Sequence, residues 1–182
     1  MNSSFGAFRL VNTYGAFGSV GARRYEPIIQ LSRSGQPGAW HELELPCKPG
    51  NVTRRPCLCA PYHHRLDWNI WFLGFKPHQQ MLQQREAWLY TLLEQLLRGD
   101  ESPWPLLDAQ SVAHLRAAGP PVYAKVDMYE YTMAAPLWEL AARWWAQRAG
   151  APPLVWWRRA YEEPLIPVVQ LGADGRLQRA PV

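Results

Sequence analysis

All three cysteines of this 182-residue chain fall between positions 47 and 59, inside a turn-rich stretch that runs from Pro46 to Phe72. Nothing else in the sequence constrains the fold as strongly. Cys47 and Cys57 bracket a short polar segment holding Pro49-Gly50, a turn signal able to reverse the chain and bring two thiols within bonding reach. Closing a loop of about ten residues stabilises a fold by roughly 2–3 kcal/mol. The same loop carries Asn51-Val52-Thr53, an acceptor sequence for N-glycosylation that has meaning only on an exposed loop in a secretory compartment. Taken singly, these signals are equally well a chance sequon and a pair of buried thiols. Their coincidence on one loop favours an oxidising, lumenal environment. Cys59 is then the odd thiol, either buried and inert or a competitor for Cys47.

The second half of the stretch is aromatic and charged. Arg65 and Asp67 stand two apart, so they point the same way on a strand, and an irregular turn would join them as a bidentate pair. A structural Arg65–Asp67 clamp is the preferred reading. Tyr62, Trp68, Trp71 and Phe72 supply ring surface that has to be buried or has to bind something. A metal site built from His63, His64 and Asp67 is disfavoured, because adjacent histidines diverge on regular backbone and no further ligand cluster completes the set.

By length residues 1–182 read as a single domain with a substantial core. Apolar residues make up 48% and charged residues 19%, with ten tryptophans, which argues against disorder and predicts a folded body with a generous aromatic interior or binding face. The net charge of +4 comes from scattered arginines rather than a basic stripe, so nucleic acid is not an expected partner. No run approaches the ~20 apolar residues of a membrane-spanning helix and no leader pattern opens the chain, which on its own reads as soluble.

Strands and turns are expected from Phe8 to Leu45: an alternating start, then Gly15, Gly18 and Gly21, an apolar run within Tyr25–Leu31, and alternation again over Trp40–Leu45. The three glycines are not followed by Lys-Ser/Thr and do not make a phosphate loop. Gln79 to Leu97 is the strongest helical pattern, its broad leucine stripe read as core packed on the sheet, with Gly99 placed to end it. A short helical piece follows near Ala109–Ala117, a period-two strand over Val122–Met133, a helix over Leu137–Arg148 after Pro136, and a hairpin over Ile166–Leu177 turned at Ala173-Asp174-Gly175. The class is α+β: an antiparallel β-sheet or small β-sandwich with packed helices and a disulfide-stapled loop.

The tandem rings of Trp144-Trp145 can hardly both be buried on one helix face, and Trp156-Trp157 with Arg158-Arg159 repeats the theme. Such residues either anchor a partner or pack against the rest of the protein. Catalytic signatures are missing: no serine lies in a Gly-x-Ser-x-Gly elbow, none of the five histidines has an evident Ser and Asp partner, and Glu162-Glu163 reads as surface. A non-enzyme without cofactor is expected.

Several blocks occur in a specific series: Asn12-Thr13-Tyr14-Gly15, Cys47-Lys48-Pro49-Gly50, Arg54-Arg55-Pro56-Cys57, then Pro61-Tyr62-His63 followed by Arg65-Leu66-Asp67-Trp68 and Trp71-Phe72. In order and spacing this series resembles the C-terminal domain of the lipase maturation factor family. The resemblance continues through Leu92-Leu93 and Leu96-Leu97 before Gly99, Pro120-Pro121 with Tyr129 and Tyr131, and Trp144-Trp145 with Arg148. It spans about residues 5–154 and leaves 155–182 as a divergent tail. It implies a protein of the endoplasmic reticulum membrane whose multi-pass region, absent from this chain, precedes a lumenal domain. That domain would assist folding and assembly of secreted homodimeric lipases of the lipoprotein lipase type, without catalysis of its own. Asn12, Tyr14, Gly15, Arg65, Asp67 and Trp68 become structural motif residues, and Trp144, Trp145 and Arg148 the partner-binding candidates. A lumenal lipid- or glycan-binding module is the alternative, and a thiol–disulfide role for Cys47, Cys57 and Cys59 a third, although Cys57-Leu58-Cys59 is not a Cys-x-x-Cys arrangement.

Overall fold

The computed structural model describes residues 23–58, 63–74 and 86–180. The strand-and-turn expectation for Phe8–Gly21, with Asn12, Tyr14 and Gly15, lies outside them, as do Cys59, Tyr62 and the first turns of the helix expected from Gln79.

Among the described residues, five antiparallel strands form one sheet in the order β2-β1-β3-β4-β5, a sheet rather than a sandwich. Strand β1 (Arg24–Ser32) pairs along its whole length with β3 (Tyr123–Met133), so that Ile28 faces Asp127 and Leu31 faces Ala124. Strand β4 (Trp157–Leu171) flanks β3 on the other side with three register irregularities, and β5 (Leu177–Arg179) returns against its end. The expected tail hairpin is present, turned through Gly172 to Gly175, where Gly175 has φ 72°. Its first strand starts well before Ile166, because pairing to β3 carries the charged run Arg158–Glu163 into the ladder without any apolar alternation.

Strand β2 (His41–Glu42) is shorter than the alternation over Trp40–Leu45 predicts. After Leu43 N–H donates to Ile29 (2.8 Å), the backbone changes partners: Glu44 N–H donates to Ser111 Oγ (2.7 Å) and its carbonyl accepts from Asp108 N–H (3.1 Å). The edge strand thus becomes a strap tied to helix α3 (Ala109–Ala118).

Four helices are described. The first, α1 (Arg65–Leu73), corrects the expectation of a strand or turn there. Leu66, Ile70 and Leu73 recur at helical spacing and are all buried, a stripe hidden in the sequence by the intervening Trp68, Trp71 and Phe72. Helix α2 (Ala87–Arg98) ends as foreseen at Gly99, which takes φ 72° while Asp100 N–H donates to Gln95 (2.9 Å). Asp108 caps α3 by accepting from Gln110 N–H (2.9 Å), and α4 (Leu137–Ala146) links β3 to β4.

The sheet is covered on both faces. On one, Ile29, Leu31, Ala124, Val126 and Ile166 pack with the leucines of α1, α2 and α3 and with Leu43 and Leu45 of the strap. On the other, Ile28, Tyr131, Trp156, Trp157 and Leu140 of α4 make a smaller cluster against Val52 of the cysteine loop. Double coverage explains why β1 is buried without alternation from Glu26 to Ser32.

Candidate partner-binding surface

The cysteine loop fixes the second face. Cys47 and Cys57 sit at disulfide distance with Cα atoms 5.3 Å apart. The loop is held from several elements: Cys47 N–H donates to Asp67 Oδ1 of α1 (2.6 Å), the Tyr131 hydroxyl of β3 donates to Gly50 O (2.6 Å), and Trp156 N–H of the segment entering β4 donates to Val52 O (2.9 Å). The Trp157 indole N–H donates to Arg54 O (2.7 Å), and the Arg54 guanidinium pairs with Asp108 at the start of α3 (2.8 Å). The loop is a hub at which the sheet and the helices meet.

Inside it lies a buried charge cluster. Lys48 contacts Glu26, which also receives Arg24 at 2.6 Å, and both Lys48 and Glu26 are withdrawn from solvent. Burial pushes the Lys48 ammonium below its ordinary range while Glu26 pulls it back up. Burial raises the Asp67 carboxyl, opposed by the Cys47 N–H, His64 and Lys48.

Several residues singled out in the sequence are placed differently from expectation. No Arg65–Asp67 clamp forms among the described residues: on α1 the two side chains diverge by about 200°, leaving Arg65 exposed and Asp67 buried under the cysteine loop. Trp156 and Trp157 are not available to a partner, being buried in the second cluster. Trp68 is half-buried among Trp71, Phe72 and His63, beside a cleft of about 230 Å³ that Asp67 and His64 also line. Among the described residues no three His, Cys, Asp or Glu side chains converge as a metal site. Asn51 is exposed, and its side-chain oxygen accepts from both Thr53 N–H and Thr53 Oγ1 at 2.9 Å.

Helix α4 is the exception to the packing. Its sequence is strongly amphipathic, yet only Leu140 is buried. Trp145 is 80% exposed, Trp138 74% and Leu137 57%. Trp144 is partly shielded by Arg55, whose guanidinium lies 4.5 Å above its ring. Beneath α4 runs a groove of about 490 Å³ whose far wall is the Ala151–Val155 segment. Arg148 is exposed past the helix end, so the three residues proposed from sequence do lie on one exposed region. Trp138 and Leu137 belong with them and were not singled out. The available signal was the second row Trp138, Ala142, Trp145, one turn apart along the same helix.

A family model described as the lipase maturation factor C-terminal domain matches residues 10–167. The chain belongs to the lipase maturation factor family. It is 39% identical over 158 residues to lipase maturation factor 1 of Bos taurus, covering 84% of this chain and 27% of that relative. To lipase maturation factor 1 of Homo sapiens it is 39% identical over 165 residues, covering 85% of this chain and 27% of the relative. To lipase maturation factor 2 of Gallus gallus it is 30% identical over 174 residues, covering 94% and 22%. The chain spans about a quarter of the length of these curated relatives. No solved structure matches it. In this lipase maturation factor domain, the blocks around Cys47–Gly50 and Arg54–Cys57 are the ones that build the hub.

No helix among the described residues is long and apolar enough to cross a membrane.

Proposed function

We propose that this chain is a non-catalytic domain, a single unit over residues 1–182, that assists the folding and assembly of secreted homodimeric lipases in the lumen of the endoplasmic reticulum. Membrane association comes from a region outside this chain. The names of its relatives support a role in lipase maturation, and the Cys47–Cys57 pair fits an oxidising compartment. Asn51 is the glycan acceptor in that compartment, exposed on the same loop.

One observation carries the reading: α4 presents Leu137, Trp138 and Trp145 to solvent while Leu140 seats the helix in the second cluster. Tryptophan dominates many interfaces, and an incompletely folded client exposes apolar surface that such rings can cover reversibly. The chain should therefore bind a partly folded lipase in preference to the mature dimer. Trp138→Ser with Trp145→Ser should weaken that binding at least tenfold while leaving the circular dichroism spectrum and unfolding midpoint unchanged. Equal binding to immature and mature lipase, or indifference to the double substitution, would count against it.

A second reading, a glycan- or lipid-binding module, draws on the cleft where Trp68 and Trp71 stand beside Arg24 and Asp67. A ligand of that kind would bind in the absence of any client and would be insensitive to changes on α4, which a sugar and lipid array on wild type and double variant separates.

A further inference from the structure

The exposed tryptophans say that α4 meets apolar surface, but the groove beside it specifies more. Leu140, Ala134, Leu154 and Val155 give it an apolar floor, and Arg143 and Arg158 stand at its edges. Its volume of about 490 Å³ lies in the range of ligand clefts, about 300–1,000 Å³. Its charge is one-sided. Helix α4 and the groove lining together hold a single carboxylate, Glu139, and Arg143 already pairs with it. Arg158 is exposed and has no side-chain partner among the described residues. Outside the groove lining, Arg148 is exposed beyond the helix end and Arg55 lies over Trp144, so the charge added next to α4 is also positive.

The geometry points to a defined client chemistry: the groove holds an extended polypeptide segment in which an aliphatic or aromatic residue is followed closely by an aspartate or glutamate. The apolar side chain enters between Leu140, Leu154 and Val155, and the carboxylate pairs with the Arg158 guanidinium, whose planar fork fits a carboxylate in two-point contact. The charge complementarity selects among apolar segments that the tryptophans alone would accept equally, and speeds their encounter. This inference rests on the α4 surface being the client-binding surface, and it names the segment that surface prefers.

The test uses the full 182-residue chain and fluorescein-labelled twelve-residue peptides, identical except for Asp, Asn or Lys beside a Leu-Phe pair, read by fluorescence anisotropy. The aspartate peptide should bind at least tenfold more tightly than the lysine peptide, with affinity falling as salt rises. Arg158→Glu should reverse that order and Arg158→Gln abolish it. The glutamine variant keeps the test decisive should charge reversal disturb the fold. Equal affinity for the three peptides, or an aspartate preference that survives both variants, overturns the proposal while leaving lipase binding through Trp138 and Trp145 intact. Conversely, a peptide preference that depends on Arg158 in a chain that binds no lipase upholds the groove and removes the lipase reading. Binding confined to phosphatidylserine vesicles, with no peptide bound, would assign the surface to a bilayer and overturn the proposal as well.

Discussion

Lys48 and Glu26 are 22 positions apart in the chain, yet both are buried and in contact beneath the cysteine loop. A pair like this contributes little against a hydrophobic substitute, but removing Lys48 leaves the buried Glu26 with Arg24 as its one remaining cationic partner among the described residues. Lys48→Met should lower stability in urea unfolding by less than the roughly 3–5 kcal/mol of a wholly stranded buried charge, because Arg24 still pairs with Glu26, and Glu26→Leu combined with Lys48→Met should recover most of the loss. A double substitution as damaging as the single one would show that the ion pair is not what stabilises the site. Tyr131 marks the other end of the loop. Its hydroxyl, pushed up to about 12 by burial, donates to Gly50 O. Arg159 stabilises the phenolate from one side while remaining tied to Glu42 at 2.7 Å. None of these partnerships was legible from residue types. The Arg65–Asp67 clamp was the natural guess because the two are neighbours in sequence, whereas the partner Asp67 finds, the Cys47 N–H, is a backbone group that every residue carries.

At the scale of elements, α1 is seated by Gly74. A Cβ there would fall inside contact distance of the Tyr25 carbonyl on β1, and since that atom is backbone it cannot swing away. Gly74→Ala should lower stability by roughly 1–3 kcal/mol, the range of overpacking substitutions, and differential scanning calorimetry would register it; an unchanged midpoint would mean that α1 shifts freely. The junction of β2 with α3 is a second such contact. His41 and His114 stack with ring centroids 3.6 Å apart. Burial, with His114 beside it, lowers the His41 pKa from its ordinary value, while Glu42 opposes the shift. The unfolded chain therefore takes up the proton first, and stability should fall as pH drops below about 6.5, levelling once the folded imidazole is also protonated. The raised carboxyls of Glu44 and Asp67 act in the opposite sense at lower pH, since there the folded state binds the proton first. Comparing wild type with His41→Leu between pH 7.5 and 5 isolates the histidine: the variant should have the shallower slope, and parallel curves would sink the assignment. Elements with a strong periodic or capping signal, such as α2 ending at Gly99 or β3, were readable. The short β2 was not, because its backbone groups are claimed by α3 rather than by a longer strand pairing.

For the molecule as a whole, the disulfide closes a loop that touches α1, β3, α3 and the entry to β4. Replacing Cys47 and Cys57 together by serine should lower unfolding stability by roughly 2–3 kcal/mol, and because the loop backs the second face, the near-ultraviolet circular dichroism of Trp156 and Trp157 should weaken with it. An unaltered spectrum and midpoint would remove the loop from its place as hub. The sequence alone determined the α+β class, the antiparallel pairing, the closing of the cysteine loop and the family, because periodicity, turn residues and ordered short blocks are local properties of a chain. Which tryptophans face solvent was decided only by the tertiary structure. Trp144-Trp145 and Trp156-Trp157 are alike as dipeptides, but the entry to β4 holds the second pair against the cysteine loop, while α4 buries Leu140 and leaves Trp145 outside. Exposure depends on what packs against a residue from distant parts of the chain, so a local pattern shows that adjacent rings diverge on a helix but not which of two like pairs is covered.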